Sequence, residues 1–411
     1  MTADVIVVGC GVQGLSVAEN LRRRGQTVLV IDRVGPGRQT SSLAAGQSVI
    51  AQTDPAMGSL MHRSIGDIIE FEARTGVPLV YHQAGSIKYA LQDWSAEQLQ
   101  REVQRATKLG ARVGMIDLAE AGRLAPHTDS SAATAAWYAP DDIYFEAADL
   151  ASSMYEAATR AGVEFRFGVD VTNLEVSSGR VTGVRTTDGI ESAASVVIAA
   201  GAWTSELLGR SVGLDLPLIH VRHQYSIRQK ISGIRFGLPS VRVVDDAIYA
   251  RPVGKDLMFG TYEPQPMEFS VKSLPDRTAD TPLDGRAIEL ALGKISGLFP
   301  GVADSTVRTM RGGMVTMTPD GSYIIDELET ASGAYFMTGC NVMGLSVSPA
   351  LGADMAEWLT TGQRPSSISG FALDRFGPGM LSSEDVRRQS LSEYESIYRD
   401  AGSNSQVRVT S

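Results

Sequence analysis

Three glycines within six residues, Gly9-Cys10-Gly11-Val12-Gln13-Gly14, and an acid at Asp32 are the first residues whose types and spacing carry chemistry. Ahead of them Val5, Ile6, Val7 and Val8 form a wholly apolar, branched run, the pattern of a strand buried on both faces of a parallel sheet. Behind them Leu15, Ala18 and Leu21 recur at helical spacing, and the helix is expected to stop at Gly25 after three arginines suited to its C-terminus. A second apolar run, Val28 to Ile31, delivers Asp32. Strand, glycine turn, helix, strand and acid in this order make a dinucleotide-binding fingerprint. Gly9 permits the sharp turn, Gly11 lets the backbone approach a pyrophosphate, Gly14 allows close helix packing, and Asp32 offers acceptors to an adenosine ribose. Nicotinamide and flavin dinucleotides present the same ADP half to such a turn, so the turn alone does not separate them.

Further along, the small polar segment from Gly37 to Gly46, with Thr40, Ser41 and Ser42 inside it, suits a backbone running along a second phosphate toward an isoalloxazine ring; a plain Ser/Gly loop is the alternative. Near the C-terminus Gly339-Cys340-Asn341-Val342-Met343-Gly344 leads into a helix expected from about Ser348 to Thr360. In Ile219-His220-Val221-Arg222-His223-Gln224-Tyr225 the odd positions share one face of a strand, so His223 and Tyr225 are expected to line a pocket together. A histidine there could take an amine proton, and an ordinary hydrogen-bonded histidine is the alternative, as it is for His220 and His82. No His/Cys/Asp cluster has metal-ligand spacing, and there is no G-x-S-x-G nucleophile elbow.

The elements that must position these residues fill a chain of 411 residues, more than one hydrophobic core usually supports. Its 43% hydrophobic and 20% charged residues are those of a globular protein, and a net charge of -10 argues against nucleic-acid binding. Only Cys10 and Cys340 are present, which points to a reducing, cytoplasmic compartment, and no apolar stretch is long enough to cross a bilayer. The N-terminal residues lack the basic region of a secretion signal. Asp149 reads as the N-cap of a helix ended by Gly162, followed by a strand through Phe165. Ser178-Gly179 and Asp188-Gly189 mark a three-stranded meander, after which Val196 to Gly201 returns as a buried strand. The expected division is a nucleotide-binding domain over 1–74, 141–215 and 306–365, and a substrate domain over 75–140 and 216–305. The tail, 366–411, reads as an exposed helix from Ser382 with a frayed end.

Five segments in order resemble the D-amino-acid-oxidase-like family of FAD-dependent oxidoreductases, which includes glycine oxidase, monomeric sarcosine oxidase and D-amino acid dehydrogenase. They are Val5 to Asp32, Thr40 to Gly46, the meander ending in Val196 to Trp203, Tyr249 to Pro252 with Leu257 to Gly260, and Met317 to Gly321 through Gly339 to Pro349. The resemblance implies an α/β fold (α+β overall), a Rossmann-like FAD-binding domain with an inserted substrate domain built on a large mixed β-sheet. It implies a cofactor set of Gly9, Gly11, Val12, Gln13 and Gly14 in the turn and Asp32 with Arg33 at the ribose. Ser41, Ser42, Ala45 and Gly46 follow along the pyrophosphate and ring, with Val171 at adenine and Ala200, Gly201 and Trp203 beside the nucleotide. Met343, Gly344, Leu345 and Ser346 approach the flavin pyrimidine edge, where N–H groups ahead of a helix meet the negative charge of a reduced flavin.

Departures from the family pattern matter as much. Gly313 stands where sarcosine-oxidase-like members carry the cysteine that attaches the flavin, so non-covalent FAD is expected. Met258 stands at their oxygen-activating lysine, while Val315 and Ser346 replace the two known carboxylate clamps. Arg251, with Tyr249 beside it, is therefore the expected carboxylate anchor, with Arg222, Arg242 and Arg311 in reserve; a structural ion pair is the alternative role for Arg251. The resulting expectation is oxidation of a small amine or amino acid, by hydride transfer from the α carbon to flavin N5 and hydrolysis of the imine. The electron acceptor is oxygen or another carrier, and an oligomer is compatible with the sequence. Rival readings are a flavin dehydrogenase of a 2-hydroxy acid or polyol phosphate, an NAD-dependent dehydrogenase, and a flavin-carrying subunit of a larger complex docked through the tail.

Overall fold

A computed structural model describes residues 3–52, 54–377 and 382–399. The residues after 399, assigned above to the frayed end of the tail, lie outside the described residues.

The apolar run of the first strand, Ala3–Val8, occupies the middle of an eight-stranded sheet. It pairs in parallel with Val28–Asp32 on one side and Gly189–Ile198 on the other. Glu164–Phe167 and Ala334–Thr338 extend the parallel core outward. Side chains alternate across it: Val5 and Val7 join Leu15, Leu150 and Leu351 under the helices Val12–Arg23, Ala147–Arg160 and Ser348–Thr361. Ile6 and Val8 join Val184, Leu207 and Leu208 under the meander and the helix Thr204–Val212. Burial on both faces is why the run is continuous rather than alternating. A side chain as fully buried as Leu15 contributes roughly 1.5–3 kcal/mol to this packing.

A nine-stranded mixed sheet stands beside it, in the order Glu268–Phe269, Ile219–Gln229, Asp256–Thr261, Ile248–Val253, Ser240–Val243, Ser86–Ala90, Ala135–Ala139 and Gly114–Ile116. Thr306–Met317 pairs with Ile219–Gln229 as a further neighbour. One face carries Ile87, Val241, Ile248 and Phe259 under the helix Gly285–Lys294. The alternate residues, among them Lys88, Arg242 and Tyr249, face the other way, and the pairings Lys88↔Arg242 and Arg242↔Tyr249 align them in one cross-strand row.

Four expectations need correction. The helix after residue 146 begins at Ala147, with Asp149 in its first turn rather than at the cap, where its charge still favours the helix dipole. The third meander strand and the buried return strand are one ten-residue strand, Gly189–Ile198, because its polar first half pairs in the meander and its apolar second half in the core. Thr306–Met317, placed with the nucleotide-binding residues, belongs to the nine-stranded sheet; its partner is set by long-range register with Ile219–Gln229, which local pattern does not encode. The tail helix, Ser383–Glu395, is not simply exposed: Val386, Ser390 and Tyr394 are buried against the nine-stranded sheet.

Candidate active site

A cavity of about 440 Å³ runs from the glycine turn of the eight-stranded sheet to the tyrosine-rich face of the nine-stranded one. At the first end, Gly9 takes a φ of 109°, and a Cβ at Gly14 would lie 2.0 Å from the Gly9 carbonyl oxygen. Only glycine allows the helix to start this close to the turn. Asp32 ties the turn together: one carboxylate oxygen accepts from Cys10 N–H (2.8 Å), the other from Val34 and Gly35 N–H (2.7 and 2.8 Å). Three of its four lone-pair sites are thus used, leaving one on Oδ2, and Asp32 lines the cavity with Arg33, Val171, Ala200, Gly201 and Trp203. The Arg33 guanidinium lies 4.4 Å from the Trp203 ring, and among the described residues its buried Nη2 has no hydrogen-bond partner.

In the middle, Ser41 Oγ accepts from Val12 N–H at the helix start (3.2 Å), and Gln13 lies alongside. The opposite wall is the turn from Gly339 to Val347. Asn341 and Val342 there adopt left-handed backbone, φ 43° and 61°, a conformation that is costly for a β-branched residue and is concentrated at functional sites. Asn341 holds the strain: its Oδ1 accepts from Thr318 N–H (2.9 Å) and its Nδ2 donates to the Gly339 carbonyl (2.6 Å). Among the described residues no acceptor takes the backbone N–H of Gly344, Leu345 or Ser346. The Ser346 hydroxyl donates to the Gln47 carbonyl (2.6 Å), fastening this turn to the Ala45-Gly46-Gln47 stretch.

At the far end Arg242 is 5% exposed. Its Nη2 donates to Gln47 Oε1 (3.0 Å), the Tyr398 hydroxyl lies within hydrogen-bonding reach of the guanidinium, and its Nη1 is buried without a hydrogen-bond partner among the described residues, 4.0 Å from the Asp142 carboxylate. Asp142 is fully buried, accepting from Ile50 N–H and the Ser86 hydroxyl, and burial pushes its carboxyl up to about 6. Tyr249 lies across the position a side chain at Gly260 would fill, its ring carbon 2.0 Å from that Cβ, and its hydroxyl meets His223 Nε2 at 2.9 Å. His223 Nδ1 meets the Tyr394 hydroxyl at 3.0 Å, and burial lowers the imidazole to about 4. Lys88 also lines this end, but Glu102 neutralises it at 2.8 Å.

Most residues singled out from the sequence line this one cavity, including Gly11, Met343 and Gly46. Five positions differ. Gly14 and Ser42 do not line it: Gly14 is packed beneath Gly9, and the Ser42 hydroxyl turns to the Gln39 carbonyl. Arg251, the expected anchor, is 1% exposed and is not a lining residue. Its guanidinium donates to the Ala45 and Pro252 carbonyls and to Glu146, so it braces the ring-side loop from behind instead of meeting a ligand. Arg222 is consumed likewise by Glu263, and Tyr225, expected beside His223, is buried behind the lining. The sequence reading missed Tyr262, Ile397, Tyr398 and Arg399, which line the far end. For the last three the signal was present in the tail, where Leu391, Tyr394 and Tyr398 recur at helical spacing.

The chain belongs to the family described as FAD dependent oxidoreductase, which matches residues 4–358. It is 25% identical over 373 residues to 4-methylaminobutanoate oxidase (formaldehyde-forming) of Paenarthrobacter nicotinovorans, covering 90% of this chain and 45% of that protein. It is 27% identical over 384 residues to glycine oxidase of Geobacillus kaustophilus, covering 90% and 97%. The chain thus spans less than half the length of the first curated relatives it matches. The solved structure of L-proline dehydrogenase from P. horikoshii has the same fold, with a TM-score of 0.83 at 21% identity over 92% of this chain and 99% of that one. That of glycine oxidase from Geobacillus kaustophilus gives 0.79 at 24%, over 91% and 99%.

The cavity fits FAD on its own evidence. The unpartnered N–H groups of Gly344, Leu345 and Ser346 suit an electron-rich ring edge, and among the described residues the buried Nη2 of Arg33 lacks an acceptor at the nucleotide end.

Proposed function

We propose that this chain oxidises a small amine bearing a carboxylate, at the carbon next to nitrogen, with FAD held non-covalently. The observation that carries the reading is Arg242, a buried guanidinium that lines the cavity at the opposite end from the dinucleotide turn beside Tyr398, with no hydrogen-bond partner for its Nη1 among the described residues. A buried guanidinium N–H demands an acceptor, and a carboxylate supplies a charge-assisted one. The names of the relatives, an amine oxidase and a glycine oxidase, agree with this class.

FAD, when bound, supplies the acceptor for the hydride leaving that carbon. Asp32, Ser41 and the glycine turn would hold its ADP half, and the turn from Met343 to Ser346 its ring edge. Gln47 then has two duties: its carbonyl fastens the ring-edge turn through Ser346, and its side chain aims Arg242. One residue thereby couples ring position to substrate position, which is what a near-attack geometry requires. Lowered by burial to about 4, His223 is neutral at pH 7 and too weak a base to hold an ammonium proton, so the amine reacts in its neutral form. Gly313 lines the cavity where an attaching cysteine is found in sarcosine-oxidase-like relatives; a Cβ there would already lie 2.4 Å from Thr278 Cγ2. A polyol phosphate is less well served, because the Lys88 charge is spent on Glu102.

Met258 is buried behind Tyr249, and its lack of charge supports a carrier other than oxygen as acceptor. Free Cys10 and Cys340 support a reducing, cytoplasmic setting. Among the described residues no helix is long and apolar enough to cross a membrane. The deciding experiment is anaerobic bleaching of the flavin spectrum against amino acids, N-alkyl amino acids, 2-hydroxy acids and polyol phosphates. Bleaching by amines alone is expected. Bleaching by hydroxy compounds alone overturns the amine assignment.

A further inference from the structure

The C-terminal segment lies beyond the family-matched region, which ends at 358, yet it reaches into the site. Tyr394 is wholly buried; its hydroxyl donates to the Arg222 carbonyl (3.1 Å), meets His223 Nδ1 (3.0 Å) and has the Glu263 backbone N–H beside it as a donor. A carbonyl oxygen only accepts, so the single phenolic proton of Tyr394 goes to Arg222. Toward His223 the Tyr394 oxygen is therefore an acceptor, and Nδ1 carries the imidazole proton. In a neutral ring Nε2 is then bare, and it accepts from the Tyr249 hydroxyl at 2.9 Å. The proton of Tyr249 is then committed to His223, and the lone pairs of its oxygen remain free to accept from a ligand in the cavity that both residues line.

The structure assigns Tyr394 as a positioning residue that fixes the tautomer of His223 and so makes the Tyr249 hydroxyl a hydrogen-bond acceptor toward the substrate N–H. This rests on the amine reading above. As the substrate carbon is oxidised its nitrogen gains positive charge, and an oxygen with its lone pairs held toward that nitrogen stabilises the change without reorienting. With the opposite tautomer Nε2–H would donate to Tyr249, whose own proton would then turn toward the substrate and oppose the developing charge. The rings are packed to hold the arrangement: Tyr262 lies 4.7 Å from the His223 ring and 5.3 Å from Tyr394.

The test uses the full-length, FAD-loaded protein labelled with 15N in its five histidines. His223→Gln identifies the His223 signals by their loss. The wild type is expected to show His223 protonated at Nδ1, and Tyr394→Phe, which keeps the ring and removes the acceptor, to shift at least half of the population to Nε2–H. With an amine found by the bleaching panel, Tyr394→Phe is expected to slow the limiting rate of anaerobic flavin reduction at least tenfold while the substrate dissociation constant stays within about threefold. Placed in a Tyr249→Phe background the same change is expected to cost nothing further, since the two act through one hydroxyl. An unchanged tautomer in Tyr394→Phe, or rate effects that multiply in the double variant, overturns the assignment. If no amine reduces the flavin, the amine reading fails, and the tautomer shift by itself still decides whether Tyr394 orients His223. Should Tyr394→Phe not fold, 3-fluorotyrosine incorporation, which acidifies the phenol without removing it, is expected to move the His223 Nδ1 resonance; an unmoved resonance overturns the assignment.

Discussion

Replacing Arg242 with methionine separates the anchor from its scaffold. Arg242 lines the cavity, and within the protein its Nη2 meets Gln47, Asp142 stands 4.0 Å from its buried Nη1, and the Tyr398 hydroxyl is a further hydrogen-bonding neighbour. Losing a buried charge-assisted contact to a ligand costs about 2–5 kcal/mol. That is a rise of about 30-fold to about 4,000-fold in the dissociation constant of a carboxylate ligand. The same substitution leaves Asp142, already pushed up to about 6 by burial, without its cation, so stability falls by roughly 1–3 kcal/mol and Asp142 titrates higher still. Arg242→Met with Asp142→Asn is expected to recover most of that stability, because an asparagine oxygen can still accept from Ile50 N–H, and to recover none of the binding. Perturbation of the flavin spectrum by acetate and benzoate reads the binding, and thermal unfolding reads the stability. If Arg242→Met binds these carboxylates within threefold of wild type, the anchor assignment is wrong. If the double variant regains binding, the effect of Arg242 was structural.

Gly14→Ala places a Cβ about 2.0 Å from the Gly9 oxygen, and is expected to yield protein with little bound flavin, read from the ratio of visible to ultraviolet absorbance; Gly66→Ala, in open space on a helix, should leave that ratio unchanged. Asn341→Ala removes the bonds to Thr318 and Gly339 that hold the left-handed turn and should weaken FAD binding at least tenfold, measured by release on dilution; retention of wild-type affinity would show the turn is held otherwise. Burial lowers His127 to about 4, and among the described residues neither ring nitrogen has a hydrogen-bond partner. A histidine pKa lowered on folding means the unfolded chain binds the proton first, so the cost is absent above about pH 7 and grows as pH falls from 6.5 toward 4. At pH 5 it is about 2 kcal/mol, and His127→Leu is expected to raise the melting temperature more at pH 5 than at pH 7.5. Equal shifts at both values would contradict that account.

The dinucleotide turn was legible because everything it needs is contiguous. Strand, turn, helix and acid lie within the first 32 residues, and the positive φ of Gly9 and the approach of Gly14 to the Gly9 carbonyl are set within that span, although a Cβ at Gly9 would also meet the Ala199 carbonyl on the neighbouring strand. For the turn from Gly339 to Ser346 the glycines marked a turn before a helix, and the family resemblance placed it toward the flavin edge. The turns themselves are local constraints, and local sequence carries them.

Which arginine meets the cavity was not of that kind. Arg242 and Arg251 both sit on strands of the nine-stranded sheet with their side chains toward its cavity face, and nothing within either strand distinguishes them. The difference lies in the neighbours supplied from elsewhere: Ala45 and Glu146 close on Arg251, whereas Gln47 and Asp142 hold Arg242 and leave its Nη1 without a hydrogen-bond partner among the described residues. The tail gave a helical pattern but not its docking face, because the tyrosines it buries are complementary to a surface assembled from Ile219–Gln229 and Ile248–Val253 only once those strands have paired. The sequence alone therefore determined the cofactor end of this protein, built from short-range backbone sterics. Tertiary structure decided the substrate end, where charge neutralisation and hydrogen-bond direction depend on groups that meet only in the folded chain.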